Sequence, residues 1–308
     1  MYRNYRNKPP RARQQPVYNI IINPNSSGYS KEKIDYLTNR LTKGGARYFL
    51  TEADSPKNAS YYTKRVLSKK PSGIIACGGD GTINAIARNM IRRTVGLAIY
   101  PLGRYNNIYR SLYGEPDRDR AIEIILGGNT RLIDYGLAGR HFFLGSLAFG
   151  LIPELYELLD KKRTPRFGIG WSKLGIKAAA AVPVRQLSIK VDAFKFEFSP
   201  RTLNVNLMSY SVGLALMPSC LTDDGKAEIS FDNGDGEAIM SNFVRKIAQK
   251  KYIYGDEIRV FRGERISIAP AEDQKIYIDG EIIRVKDSEL GIEIVPKRIR
   301  VFAPAEKQ

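Results

Sequence analysis

Residues 72–82 read Ser-Gly-Ile-Ile-Ala-Cys-Gly-Gly-Asp-Gly-Thr and run straight on to Met90 as Ile-Asn-Ala-Ile-Ala-Arg-Asn-Met. Ile74, Ile75 and Ala76 are apolar in succession, the mark of a short strand covered on both faces. Ile83, Ile86, Ala87 and Met90 then recur at helical spacing, so the chain passes from strand to helix across the glycines. Gly78, Gly79 and Gly81 surround Asp80 and permit a sharp turn and a close approach to a ligand. A helix that starts just beyond presents unpaired N–H groups and a partial positive charge, a seat for phosphate. Asp80 repels a bare anion there. A divalent cation between carboxylate and phosphate removes the conflict, since Mg²⁺ is commonly held by one or two carboxylates plus phosphate oxygens. The alternative is a plain glycine turn. The pattern is not Gly-x-Gly-x-x-Gly, and it is not a P-loop, because no Gly-Lys-Ser/Thr follows.

The surrounding sequence alternates strand and helix. Val17 to Ile22 is a strand ending in Asn23-Pro24-Asn25-Ser26-Ser27-Gly28, and a helix begins near Ser30 with Ile34, Leu37 and Leu41 on one face. Arg47 to Thr51 is a second strand, Ser55-Pro56 opens another helix, and Val95 to Tyr100 is a fourth strand. This order predicts a parallel α/β domain over residues 17–133, with ligands at the C-terminal ends of its strands. After the fourth strand, residues 101–110 carry Gly103, Arg104, Asn106 and Asn107, where Asn106 is a candidate helix cap. Asp117 to Leu126 reads as a helix closed by Gly127-Gly128, and His141 to Ala148 as a strand.

From Val184 the pattern becomes short alternating or β-branched runs separated by turns. They include Leu203–Met208, Val212–Met217, Ala227–Phe231, Arg265–Ala269, Lys275–Ile278 and Gly291–Val295. An antiparallel β-sandwich over residues 134–296 follows, interrupted by a helix from Glu237 to Lys250. Residues 297–308 return to the first domain, with a strand at Arg298–Phe302. Asp279-Gly280, between two such runs, is by itself a hairpin signal.

Charge narrows the partners without choosing one. Lys and Arg number 49 against 32 Asp and Glu, a net of +17, which suits anionic lipid surfaces, nucleic acid or polyphosphate. Residues 1–16 form a basic tail expected to be disordered, an electrostatic tether; no nucleic-acid motif accompanies it. Two cysteines and one histidine exclude a disulfide framework and His-rich metal sites. No apolar run reaches bilayer length and no signal-peptide core is visible, so the expected home is the cytoplasm, at a membrane surface. A homodimer is left open.

Gly-Gly-Asp-Gly-Thr-Ile-Asn at 78–84 resembles the nucleotide-binding signature of the diacylglycerol kinase catalytic domain family, which includes sphingosine kinases and bacterial lipid kinases. Further elements follow in family order. Asn23-Pro24, Ser27 and Gly28 resemble the first phosphate-side motif. Pro101, Gly103, Asn106 and Arg110 match Pro-x-Gly-Thr-x-Asn-Asp-Phe-x-Arg, and Asp134-Tyr135-Gly136 matches Ile-Asp-x-Gly. Asp223-Asp224-Gly225 and Asp279-Gly280-Glu281 resemble the two late acidic motifs.

The resemblance implies an ATP- and Mg²⁺-dependent lipid kinase with its cleft between the α/β domain and the β-sandwich. ATP then lies on Asn23, Pro24, Ser27, Gly28, Gly78, Gly79, Asp80, Gly81 and Thr82, flanked by Gly103, Arg104, Asn106 and Asn107. Mg²⁺ is expected at Asp80 and Glu281, and a structural Mg²⁺ at Asp224. Asp279 is the expected general base for the lipid hydroxyl. Asp134 and Lys177 fall on the substrate side, where the basic run 161–166 borders the lipid. Tyr29, Arg104, Asn107 and Gly145 depart from the family pattern: Tyr29 and Arg104 replace a basic residue and a threonine, Asn107 an aspartate, and Gly145 lies where relatives often carry asparagine. These departures favour a second expectation, a nucleotide, anionic-lipid or nucleic-acid binding protein that keeps the fold with impaired transfer. NAD kinase, which shares Gly-Gly-Asp-Gly, is a rival within the enzyme class.

Overall fold

A computed structural model describes residues 15–160, 175, 177–183, 185–232 and 258–305. The expected helix at Glu237–Lys250 and the basic run 161–166 lie outside the described residues.

The first half alternates β1 (Val17–Ile22), α1 (Lys31–Lys43), β2 (Arg47–Glu52), α2 (Pro56–Leu67), β3 (Gly73–Gly78), α3 (Asp80–Ala87) and β4 (Gly96–Pro101). The strands lie in the order β2-β1-β3-β4, all parallel. Every residue of β3 and β4 is buried, as their unbroken apolar sequence requires with helices on both faces. Ser30 and Ser55 cap α1 and α2 by accepting the backbone N–H groups of Lys33 and Asn58. The C-terminal ends of β1, β3 and β4 are sewn together: Asn23 N–H donates to Cys77 O at 2.9 Å, and Gly28 N–H to Leu102 O at 2.9 Å. The loops that carry the glycines therefore meet at one edge of the sheet.

The chain continues through α4 (Asn107–Tyr113), α5 (Arg118–Gly127), β5 (Thr130–Ala138), β6 (His141–Phe143), β7 (Ser146–Gly150) and α6 (Leu151–Asp160). There follow β8 (Leu187–Val191), β9 (Phe194–Phe198), β10 (Thr202–Asn206), β11 (Tyr210–Ser211), β12 (Leu214–Ala215) and β13 (Ala227–Asp232). The last strands are β14 (Ile258–Gly263), β15 (Arg265–Ala269), β16 (Lys275–Ile278), β17 (Glu281–Arg284) and β18 (Leu290–Phe302).

β18 links the two halves. It lies parallel to β4 at Val301–Leu97, pairs antiparallel with β5 along most of its length, and at its other end pairs with β15, which leads on to β8 and β9. A second sheet, in the order β14-β13-β10-β7-β16-β17, packs against this extension through Phe149, Leu203, Ile229, Ile266, Ile276 and Ile292. The architecture is thus a parallel α/β layer joined to an antiparallel β-sandwich.

Three expectations change at this level. The runs at Gly291–Val295 and Arg298–Phe302 form one strand with a register shift between Val295 and Ile299. Val212–Met217 shrinks to the two residues of β12. The single strand expected over His141–Ala148 breaks at Leu144-Gly145, where the backbone N–H groups turn away from the ladder toward a carboxylate.

Candidate active site

The glycine turn, the loop after β4 and the β16–β17 hairpin surround a cavity of about 320 Å³. Asn23, Ser27, Gly79, Asp80, Gly81, Thr82, Gly103, Arg104 and Asn107 line it from the α/β layer, and Tyr277 and Gly280 from the sandwich. The close approach of the two glycine loops demands small residues. A Cβ on Gly103 would stand 2.5 Å from the Gly79 Cα. Asn106 closes the second loop onto itself, its Oδ1 accepting Gly103 N–H at 2.8 Å and its Nδ2 donating to Gly103 O at 2.9 Å.

Asn106 is the residue before α4, yet its side chain makes no cap bond there. Asp80 does that work from the other loop. Its carboxylate accepts the backbone N–H groups of Asn107 at 3.0 Å and Ile108 at 2.9 Å, and the Asn107 side-chain amide at 3.1 Å. Asn107 Oδ1 in turn accepts the Gly213 N–H at 2.8 Å, so one amide bridges Asp80 to the turn between β11 and β12. An aspartate at 107 has no donor to offer Asp80, which gives the departure from the family pattern a local reason. Burial pushes the Asp80 carboxyl above its ordinary range against these bonds.

Asp279 and Gly280 form the two-residue turn between β16 and β17, with φ of +43° and +96°. Aspartate tolerates this left-handed region and glycine suits it. The hairpin and the Asp-Gly-Glu motif are thus the same object. The Asp279 carboxylate, 4% exposed, points back into the molecule and accepts three backbone N–H groups: Leu144 at 2.6 Å, Gly145 at 2.9 Å and Ser146 at 2.8 Å. A Cβ on Gly145 would come within 2.7 Å of the Asp279 Oδ1, so the residue that holds this carboxylate has no room for a side chain. Burial raises the Asp279 carboxyl to about 6, with the nearby Asp80 charge acting in the same direction and the three N–H groups opposing it.

A second cavity, of about 540 Å³, shares Pro56 and Gly81 with the first. Lys57, Lys64, Arg88 and Arg140 line it against Glu281, the acid among its lining residues. Beside them, burial and Arg140 hold the His141 imidazole below its ordinary range. Lys57 and Lys64 are seven residues apart on α2, a spacing that puts both on one helical face. Sequence reasoning passed over that signal. It also passed over Lys33, one helical turn beyond Tyr29, whose Nζ donates to Gly28 O at 2.6 Å and brings a cation to the first phosphate-side loop.

The remaining candidates lie elsewhere or play other parts. Gly28 and Gly78 serve the packing of the loops, and neither they nor Pro24 line the first cavity. Glu281 is exposed and belongs to the second cavity, not to the one that Asp80 lines. Asp224, expected to hold a metal, is ion-paired with Arg262 of β14, and its Oδ1 accepts the Lys226 N–H. Asp134 is buried and accepts Gly225 N–H at 2.6 Å and Lys297 N–H at 2.7 Å, tying β5 to the Asp-Asp-Gly loop and to the irregularity in β18. Lys177 is exposed on the helical stretch 177–181.

The fold that carries this site is shared with solved kinase structures. A diacylglycerol kinase from Bacillus anthracis superposes with a TM-score of 0.74 at 18% identity, over 96% of this chain and 98% of that one. An NAD kinase from Archaeoglobus fulgidus, solved with ATP, superposes with a TM-score of 0.52 at 13% identity, over 94% of each chain. The fold is therefore that of the diacylglycerol kinase and NAD kinase type. Residues 18–138 match the diacylglycerol kinase catalytic domain model, so this part of the chain is similar to that domain. Among curated proteins, a Staphylococcus aureus diacylglycerol kinase is 22% identical over 292 residues, 92% of this chain and 91% of that one. An uncharacterized Synechocystis protein is 24% identical over 249 residues; the match spans 76% of this chain but only 55% of the length of that relative.

Proposed function

We propose that the chain is a lipid kinase that uses ATP and Mg²⁺ to phosphorylate a lipid hydroxyl, with Asp279 as the general base. The observation that carries this reading is the Asp279 carboxylate itself: buried, fixed by three backbone N–H groups, raised to about 6 with the Asp80 charge nearby, and next to Gly280, which lines the cavity of the glycine turn. A base with that pKa is ionised at neutral pH yet retains proton affinity. The lipid hydroxyl gives its proton to Asp279 as its oxygen bonds to the γ-phosphorus, and the bond from that phosphorus to the bridging oxygen of ADP breaks. The phosphates rest on the N–H groups of residues 79–82 at the start of α3, with Lys33, Arg104 and the cations of the second cavity nearby.

The residues fit Mg²⁺ in a limited way. Among the described residues no group of three or more His, Cys, Asp or Glu side chains is placed to hold a metal unaided. Asp80 lines the cavity, and phosphate oxygens complete such a site in many enzymes. When bound, Mg²⁺ would neutralise charge on the transferred phosphate at Asp80, while Glu281 stands at the second cavity.

A lipid acceptor at an anionic membrane surface accords with the net charge of +17. No helix among the described residues is long and apolar enough to cross a membrane. The second reading, a nucleotide-binding protein with impaired transfer, is favoured by the three hydrogen bonds that already engage Asp80. Transfer of labelled γ-phosphate to vesicle lipid, compared between wild type and Asp279→Asn, separates the two. The kinase reading expects a loss of roughly 10²–10⁴-fold in the variant with ATP binding retained. ATP binding by the wild type with no labelled lipid favours the second reading.

A further inference from the structure

The sheet β14-β13-β10-β7-β16-β17 has one apolar face, in the sandwich core, and a second face that is polar and also buried. On that second face Asn206 stands beside Ser146 on one neighbour strand and Glu228 on the other, and Asn204 stands beside Ala148 and Ser230. All of these side chains are buried. The row begins at the candidate active site, because the Ser146 N–H holds Asp279 and Tyr277 of the same face lines the first cavity. The lid over this face is apolar: Leu151 and Leu155 of α6 and Val212, Leu214 and Leu216 cluster with Tyr277.

Within this polar row, two amides have atoms without hydrogen-bond partners among the described residues, although Asn204 Nδ2 donates to Thr202 and Ser230. Asn206 is 1% exposed and neither its Nδ2 nor its Oδ1 has a partner; Asn204 is 4% exposed and its Oδ1 has none. Buried carboxamides left open in this way are costly and rare. Two open oxygens and one open NH₂ group, with its two N–H donors, beside the proposed base suggest a ligand that supplies the complement. The two oxygens ask for two hydrogen-bond donors besides the hydroxyl whose proton goes to Asp279. A diacylglycerol has only that one hydroxyl and no other donor. A cationic amine suits the row less well, since Glu228, its carboxylate, already accepts the Ser219 hydroxyl and faces Arg262 at 3.9 Å.

We propose that the acceptor carries a neutral head group with several hydroxyls, a sugar or polyol on a lipid, and that Asn206 and Asn204 recognise it. Asn206 is then a positioning and specificity residue. The proposal rests on the kinase reading and names its substrate class.

The test offers the full-length protein, with Mg²⁺ and labelled ATP, mixed micelles of dioleoylglycerol or of a monoglycosyl dioleoylglycerol. Wild type is expected to label the glycosyl lipid with a kcat/KM roughly tenfold or more above that for dioleoylglycerol. Asn206→Leu, close in size, is expected to raise the KM for the glycosyl lipid by about tenfold, leave the KM for ATP unchanged and keep the thermal midpoint at or above that of wild type. Preference for dioleoylglycerol by the wild type would overturn the proposal and leave the kinase reading standing, and this comparison needs no variant to fold. A lowered midpoint with no change in either KM would also overturn it, since the amide then serves a structural water. If the wild type labels neither lipid the proposal is overturned, and transfer to vesicle lipid then decides the kinase reading separately.

Discussion

Asp279 is held by geometry that leaves little freedom to its neighbours. Replacing Gly145 with Ala puts a methyl 2.7 Å from the Asp279 Oδ1, so either the carboxylate or the 144–146 backbone must move. We expect Gly145→Ala to lose about 1–3 kcal/mol of stability and most of its phosphoryl transfer, read by denaturant unfolding and by labelled phosphate. The raised carboxyl also has a thermodynamic signature. Its folded value of about 6 exceeds its ordinary 3.8, so the native state binds more protons than the unfolded chain between these values. Stability of the metal-free protein from this group therefore falls as pH rises through that window. The buried Asp80 and Asp134, also raised, act with the same sign. Thermal midpoints between pH 4 and pH 7 in a chelator should show the decline, and Asp279→Asn should flatten it. Asp279 was legible as a candidate in Asp-Gly-Glu. Its three N–H partners were not, because they lie more than a hundred residues away in a segment that reads as plain strand.

At the scale of elements, α4 depends on a cap from a distant loop. Asp80→Ala removes two backbone bonds at its start and is expected to cost about 0.5–2 kcal/mol, measurable by urea unfolding. Asn107→Asp keeps the shape but sets a carboxylate against Asp80 and removes the N–H that bonds it. It should unfold at lower denaturant above neutral pH and recover as Asp80 is protonated in acid. The strands and helices of the first half were readable from their own periodicity and from Ser30 and Ser55, since caps and buried strands are local signals. Asn106 was a candidate cap by the same logic, and it failed because a carboxylate from 27 residues upstream reaches the N–H groups first. In the sandwich the runs were visible, but the breaks were set by tertiary demands: β6 and β7 part to serve Asp279, and β18 is a single strand because β5 pairs along both of its halves.

The whole molecule couples a basic exterior to a site reached from both layers. If charge brings it to its substrate, binding to anionic vesicles should fall steeply as salt rises from 50 to 500 mM, while neutral vesicles bind weakly at every salt. The order of the motifs was legible in the sequence, and the structure brings the glycine turn and Gly280 of the late Asp-Gly turn to one cavity. The cationic second cavity and the polar row of β10 were not, since they arise only when Lys64, Arg88 and Arg140, or Ser146 and Asn206, are brought side by side. The central claim is that Asp279 and the glycine turn transfer phosphate to a lipid. The most direct measurement is Mg²⁺-dependent transfer of labelled γ-phosphate from ATP to vesicle lipids by wild type and Asp279→Asn. Labelled lipid is expected from the wild type and roughly 10²–10⁴-fold less from the variant. Equal labelling by both proteins, or ATP binding with no labelled lipid from either, would contradict it.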